Sequence, residues 1–381
     1  MILMKNLVIL SQAPLTPQIK RNNYVDEYLS VGYDVQFWDM SQLIHPGMKY
    51  NDELCEPYLR NISLLFEFEQ LLSGVDSLKT IFVLDFDASW HTRNIFKILT
   101  KYHCYMIRVD MYANTSLQLT LKQKLSQLFS NRFSSILITR LGIYLYKIYA
   151  WFYNISDCQR YYSSSAIVNR TDKINHPDYE DFCFSKSRRI IEGNYILFVD
   201  TNFGFHPDDI YLFKYSKIPT TEKFQASLDD FFTYLEKKYR MPVIIAAHPK
   251  SNYVNGEFGN RRIIKYQTKD LIIYADKVIL QLCNTISWVT LADKPLIFVT
   301  TDDYDVLALQ RKRLRFLASL LGKKVYNIEH CDFSDIIFTT VEKEIRLHYI
   351  YTYLTDKDIE KRKNIDILKD SYETVSLAIH K

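Results

Sequence analysis

The chain has 381 residues, 48% of them hydrophobic and 24% charged, with a formal net charge of +4 at pH 7. That composition excludes a disordered chain and supplies more apolar material than one core normally holds, so two domains of roughly 150–200 residues are expected. The charge is small and mixed, and it makes no case for nucleic acid as a partner.

Leu7–Ser11 is a compact apolar run followed by Pro14 and Pro17, the pattern of a buried strand and a turn. The apolar stretch from Met1 to Gln12 is too short for a signal peptide and lacks a cleavage site, so it reads as a first strand. Ile19–Ser30 has a helical pattern closed by Gly32, and Tyr33–Trp38 resumes as a strand, which completes a βαβ unit. The alternation continues. Leu59–Leu72 reads as a helix, Thr80–Asp85 as a strand, Trp90–Lys101 as a helix and Cys104–Val109 as a strand ending at Asp110. Strands that end on acids suit an open α/β sheet, where ligands sit at the carboxyl ends of strands.

Residues 117–154 differ. The segment is helical in pattern, carries no acidic residue, and holds Lys122, Lys124, Arg132, Arg140 and Lys147 beside a crowd of apolar side chains. One reading is an interfacial segment docking on anionic lipid. The other is a pair of buried helices whose basic side chains reach out to water. No run of 18 uncharged apolar residues suggests a membrane span. Tyr161–Glu192 is polar and irregular and reads as a linker, which divides the chain into domains at 1–190 and 191–381.

Tyr195–Asp200 opens a second α/β series. Strands are expected at Val243–Ala247, Arg262–Lys265, Val278–Gln281, Leu296–Thr300 and Val325–Ile328. Helices are expected at Thr221–Arg240, Thr268–Tyr274, Ile286–Ala292 and Tyr304–Leu321. The last helices, from about Ser334 to Lys381, are expected to pack back across the first domain. The fold class is therefore α/β, with two Rossmann-like domains facing a cleft. Cys55, Cys104, Cys158, Cys183, Cys283 and Cys331 are scattered, with no CxxC pair or zinc spacing, which suits a reducing, cytoplasmic compartment.

The strongest constellation lies in the second half. The strand Val243–Ala247 runs into His248-Pro249-Lys250, and Val278–Gln281 runs into Cys283-Asn284-Thr285-Ile286-Ser287, where a helix begins. Hydroxyls and free N–H groups there, with His248 and Lys250 nearby, would hold a phosphate. Tyr266 and Thr268 open a short helix between them, where a nucleobase or ribose would lie. Taken singly, Thr285 and Ser287 are better explained as helix caps, and it is the constellation at successive strand ends that favours a site. GxSxG, Walker, GxGxxG and HExxH patterns are missing, which weakens hydrolase, NTPase, dehydrogenase and metalloprotease readings.

Residues 195 to about 305 resemble the donor domain of GT-B type bacterial capsule and lipopolysaccharide glycosyltransferases, in particular the sialyl-, polysialyl- and Kdo-transferase group. His248-Pro249 resembles that group's HP motif, Asn284-Thr285-Ile286-Ser287 stands in the place of its Ser/Thr motif, and Ala292-Asp293-Lys294-Pro295-Leu296-Ile297 is similar to the strand that follows. The resemblance implies a nucleotide-sugar donor, often a CMP-linked acid, with no further cofactor and no metal. The group's acidic-pair-Gly motif, which supplies the catalytic base, is absent.

Candidates for acid–base work are Asp200 and His206 after the strand Tyr195–Asp200, with Asp208 beside them, and Asp85 and Asp87 in the first domain. Asp85-Phe86-Asp87 also has the DxD form that binds a divalent metal in GT-A enzymes. Ser11, Gln12 and Asp110, at strand ends of the first domain, are expected to line the acceptor side of the cleft. The function expected is glycosyl transfer to a growing surface polysaccharide or lipid-linked glycan, inverting and metal-independent, with peripheral contact at the inner membrane through 117–154. A CDP-polyol phosphotransferase of the teichoic-acid type and a non-catalytic partner of the same fold are the alternatives.

Overall fold

The computed structural model describes residues 6–110, 133–206, 221–253 and 256–379; for residues 110, 133–140, 221 and 374–379 it describes the backbone alone. Asp208 and the basic residues Lys122, Lys124 and Arg132 lie outside the described residues.

Two parallel sheets organise the chain. The first contains β1 (Asn6–Ser11), β2 (Asp34–Asp39), β3 (Leu59–Asn61), β4 (Thr80–Leu84), β5 (Tyr105–Asp110), β6 (Arg160–Ser163) and β7 (Asp172–Lys173), in the order β3-β2-β1-β4-β5-β6-β7. The second contains β8 (Ile196–Val199), β9 (Val243–Ala247), β10 (Ile263–Lys265), β11 (Lys277–Leu280), β12 (Leu296–Thr300) and β13 (Val325–Asn327), in the order β10-β9-β8-β11-β12-β13. The α/β class and the two Rossmann-like domains are as the sequence predicts.

The first sheet is covered on both faces because its central strands β1 and β4 carry apolar residues in both phases. Leu7 and Ile9 of β1 join Val35, Phe37, Ile81 and Val83 in one core. Val8 and Leu10, one residue out of phase, join Trp38, Phe82 and Leu84 in the other. Alternate side chains of a strand point to opposite faces, so an unbroken apolar run has helices on both sides. The second domain has one continuous core around β8, β9, β11 and β12. Each fully buried Leu, Ile, Val or Phe adds about 1.5–3 kcal/mol against exposure.

Three elements of the first domain differ from the sequence reading, and in the second the helix expected over Tyr304–Leu321 is two, Asp302–Asp305 and Ala308–Leu320. The segment Ile19–Ser30 is two helices, Pro17–Asn22 and Val25–Ser30, broken at Tyr24, whose φ is 54°. Tyr24 is buried and its hydroxyl accepts from Asn364 Nδ2 at 2.6 Å, so a long-range contact holds the left-handed turn. Leu59–Asn61 is an edge strand paired with β2 rather than the start of a helix, and the helix runs only over Leu65–Ser73. Glu67 Oε2 accepts the backbone N–H groups of Ser63 and Leu64, at 2.9 and 3.1 Å, and fixes that later start. The stretch read as an irregular linker contains β6, β7 and the helix Pro177–Phe184. These strands are short and polar, and pairing of β6 to β5 and of β7 to β6 supplies the order their own pattern lacks.

The helix Asn364–Ile379 returns to the first domain, as expected: Ile365, Leu368 and Tyr372 belong to its core, and the hydroxyls of Tyr28 and Tyr372 bond at 2.8 Å. All six cysteines are free thiols. Among the described residues, no helix is long and apolar enough to cross a membrane.

Candidate functional site

In the second sheet β8 leads to β9 and β10 on one side, and β11, β12 and β13 continue on the other. The strand order reverses between β8 and β11, and open parallel sheets bind ligands in the crevice outside the strand carboxyl ends at such a point. A cleft of about 860 Å³ opens there. The second domain lines it with Thr201, His248 and Thr285, and the first domain with Thr16, Arg21 and Asp52, among others.

Asp200 directly follows β8 and is 3% exposed. Its Oδ2 accepts the backbone N–H of His248 at 3.1 Å and the hydroxyl of Tyr253 at 2.9 Å, and its Oδ1 accepts the N–H of Asn202 at 2.9 Å. Burial pushes this carboxyl up, while those donors pull it down. Asp200 thus fastens the end of β8 to the loop after β9.

That loop is a tight turn in which the Ser251 hydroxyl donates to the His248 carbonyl at 2.8 Å. Within it, His248 Nδ1 accepts the backbone N–H of Lys250 at 3.1 Å. The proton of the neutral ring is then on Nε2. Burial above all, then the nearby His206, Lys250 and Lys265, hold His248 well below the ordinary histidine value. The ring is therefore a neutral Nε2–H donor at pH 7. His206 stands beside it, with ring centroids 4.6 Å apart. Pro249 and Lys250 line the cleft with it.

At the end of β11, Asn284 and Thr285 line the cleft, and Thr285 precedes the helix Ile286–Leu291. Thr285 makes no side-chain cap bond; its hydroxyl donates to Cys283 Sγ at 2.9 Å. Burial pushes the Cys283 thiol up to about 11. Ser287 is fully buried and lies apart from the cleft. Its hydroxyl is shared between Asp178 Oδ2 at 2.7 Å and the Asn284 carbonyl at 2.6 Å, which ties this helix to Pro177–Phe184.

Thr268 and Tyr266 also line the cleft. Tyr266 has φ 64° and donates its hydroxyl across the cleft to Asp52 Oδ2 at 3.0 Å. Beside it Asn51 Nδ2 donates to the Lys250 carbonyl at 3.4 Å, and Lys250 Nζ sits 4.0 Å from the centre of the Tyr50 ring. Residues 50–52 thus clasp the loops that carry His248 and Tyr266.

The first domain's other candidates are set back. Asp85 directly follows β4, where the Ser11 hydroxyl donates to Oδ2 at 2.5 Å and the Gln12 N–H to Oδ1 at 2.8 Å. Burial pushes Asp85 up to about 6 against those donors. Ser11, Gln12 and Asp85 are not among the residues lining the cleft. Asp87 is exposed and ion-paired with Arg108. The two carboxylates of the DxD form thus engage different partners, and among the described residues no group of three His, Cys, Asp or Glu is placed to hold a metal ion. Asp110 ends β5.

Asp52 and Arg21 escaped the sequence reading. Asp52 lies in an irregular loop and Arg21 on a short helix with a basic last turn, so neither carries a local signal. The fold brings both to the cleft. Asp52 Oδ1 is buried and has no hydrogen-bond partner among the described residues.

No family model matches the chain, and no curated protein matches its sequence. By structure it is similar to CalG4, the calicheamicin glycosyltransferase, with a TM-score of 0.52 at 10% identity over 99% of each chain. It is similar to the glycosyltransferase SnogD from Streptomyces nogalater, with a TM-score of 0.50 at 8% identity over 97% of this chain and 99% of that one. At these identities the likeness establishes the shared fold, two Rossmann-like domains of the GT-B kind.

Proposed function

We propose that the protein transfers a glycosyl group from a nucleotide-activated donor to a glycan or lipid-linked glycan, in the cleft between its domains. The observation that carries this reading is His248 at the strand-order reversal of the second sheet, its Nδ1 accepting the Lys250 N–H so that Nε2 is left as the donor, in a cleft that Thr285 also lines. A fixed donor at the mouth of parallel strands suits a phosphate that gains charge as it departs.

In the proposed step the bond between the anomeric carbon and the donor phosphate oxygen breaks, and its electron pair stays on the phosphate. His248, Thr285 and Lys250 stabilise that charge, with no metal invoked. The acceptor oxygen forms the new bond, and its proton passes to a carboxylate. Asp52, a first-domain carboxylate that lines the cleft and whose Oδ1 has no hydrogen-bond partner among the described residues, takes that role, with His206 as the second choice. Asp200, whose oxygens accept three protein donors, positions the His248 loop. The HP and Ser/Thr motifs favour a CMP-linked acidic sugar as donor.

Delivery of a lipid-linked acceptor fits an exposed face of the helix Phe133–Phe152. Tyr144 is 66%, Trp151 79% and Phe152 69% exposed there, and no acidic residue occurs from 133 to 156. Such a surface suits the interface of an anionic membrane.

The test is a thermal-shift titration of CMP, CDP, UDP and GDP against the wild type and His248→Ala. A ligand that binds only the folded state raises the melting temperature. One nucleotide should do so in the wild type, and the variant should lose the effect. No shift with any of the four rejects the reading.

A further inference from the structure

Arg21 reaches the cleft from the first domain, on the helix Pro17–Asn22. Its guanidinium is a flat fork of five N–H donors. Its Nε is buried without a hydrogen-bond partner among the described residues. The nearest carboxylate oxygens, Oδ1 of Asp178 and Oδ2 of Asp181, stand 3.7 and 3.5 Å from its terminal nitrogens. Both are longer than the 2.7–3.2 Å of an ordinary N–H···O bond.

Each of those carboxylates has a closer donor. The Ser287 hydroxyl is 2.7 Å from Asp178, and Lys269 Nζ is 3.0 Å from Asp181. Arg21 is the loosest member of the group, and it can turn away without leaving a carboxylate unpartnered. Behind it the Trp288 ring lies 5.5 Å from the guanidinium carbon, and Trp288 Nε1 is pinned to the Asp178 carbonyl at 3.0 Å. The ring is a fixed platform within cation–π reach of the guanidinium at the cleft. A half-buried arginine with unmet donors, held in place at a cavity, is arranged for an oxyanion that arrives with a ligand.

We infer that Arg21 is the first domain's anion-binding residue, and that it takes two oxygens of a carboxylate or phosphate on the ligand in the cleft. The inference rests on the transferase reading and extends it. The ligand meets both domains, at His248 and Thr285 of the second and, through an acidic group, at Arg21 of the first. The group belongs either to the donor's phosphate or to an acid function on a sugar.

The experiment measures binding to wild type, Arg21→Ala and Arg21→Lys by thermal shift. The probes are CMP, CDP, UDP and GDP, with N-acetylneuraminate and glucuronate as free acid sugars. Arg21→Ala should weaken at least one class of probe about tenfold or more, and Arg21→Lys, a point charge that keeps the position over Trp288, should recover only part of that. Loss confined to the nucleotides assigns the phosphate, and loss confined to the acid sugars assigns the sugar acid. Arg21→Ala binding every probe as tightly as the wild type overturns the inference alone. A wild type that binds none of the probes removes the transferase reading, and this inference with it.

Discussion

Burial raises Asp85 from an ordinary carboxylate value of 3.8 to about 6. The folded protein therefore keeps a proton that the unfolded chain releases as pH rises above about 4. The stability this carboxyl contributes is complete below that range and is lost as pH climbs through 6. Asp85→Asn does not titrate, so its melting temperature relative to the wild type should rise between pH 4 and 7; a constant difference across that range rejects the burial argument. Ser287 gives a second contrast. Its hydroxyl serves Asp178, and Ser287→Ala should lower stability by about 1–3 kcal/mol because a buried carboxylate loses a donor. Urea unfolding measures that loss, and nucleotide binding should change less than twofold. Lost binding at unchanged stability would move Ser287 into the site. The pattern Asn284-Thr285-Ile286-Ser287 made its hydroxyls look equivalent. Which one meets the cleft depends on where the helix Pro177–Phe184 packs, and no local pattern encodes that.

Among the elements, the helix Phe133–Phe152 separates two physical solutions for apolar residues. Buried helices hide such side chains, yet Ile143, Ile148 and Trp151 are all more than half exposed. Membrane docking predicts that the protein sediments with vesicles containing phosphatidylglycerol. Trp151→Ser with Phe152→Ser should reduce the bound fraction severalfold, and so should neutralising Lys122, Lys124, Arg132, Arg140 and Lys147. Unchanged partitioning in both rejects docking. The central strands were legible for a simple reason: β1, β4, β9 and β12 are unbroken apolar runs with both faces covered. The edge strands of the first sheet were not. β3 has three residues and β7 two, too few to display a period, and they form because a neighbour offers unpaired backbone groups.

Across the whole molecule, the chain passes from the first domain to the second and returns. Asn175 joins the two passages: its side-chain carbonyl accepts from Thr355 Oγ1 at 2.5 Å, and its backbone N–H donates to Asn364 Oδ1 at 2.9 Å. The helix Asn364–Ile379 then closes the first core with Ile365, Leu368 and Tyr372. Truncation after Lys363 should therefore destabilise the first domain by more than the 2–5 kcal/mol typical of one large core deletion. Calorimetry should show an early transition for the first domain, with the second domain melting near its original temperature. A single unshifted transition would mean that the helix adds nothing. The sequence by itself determined the two α/β series, their main strands and the motif residues around His248, because apolar period and strand-end chemistry are local properties. The tertiary structure alone decided that Asp52 and Arg21 reach the cleft while Asp85 and Ser287 do not. Whether a polar side chain meets a ligand or another side chain depends on which distant element packs against it.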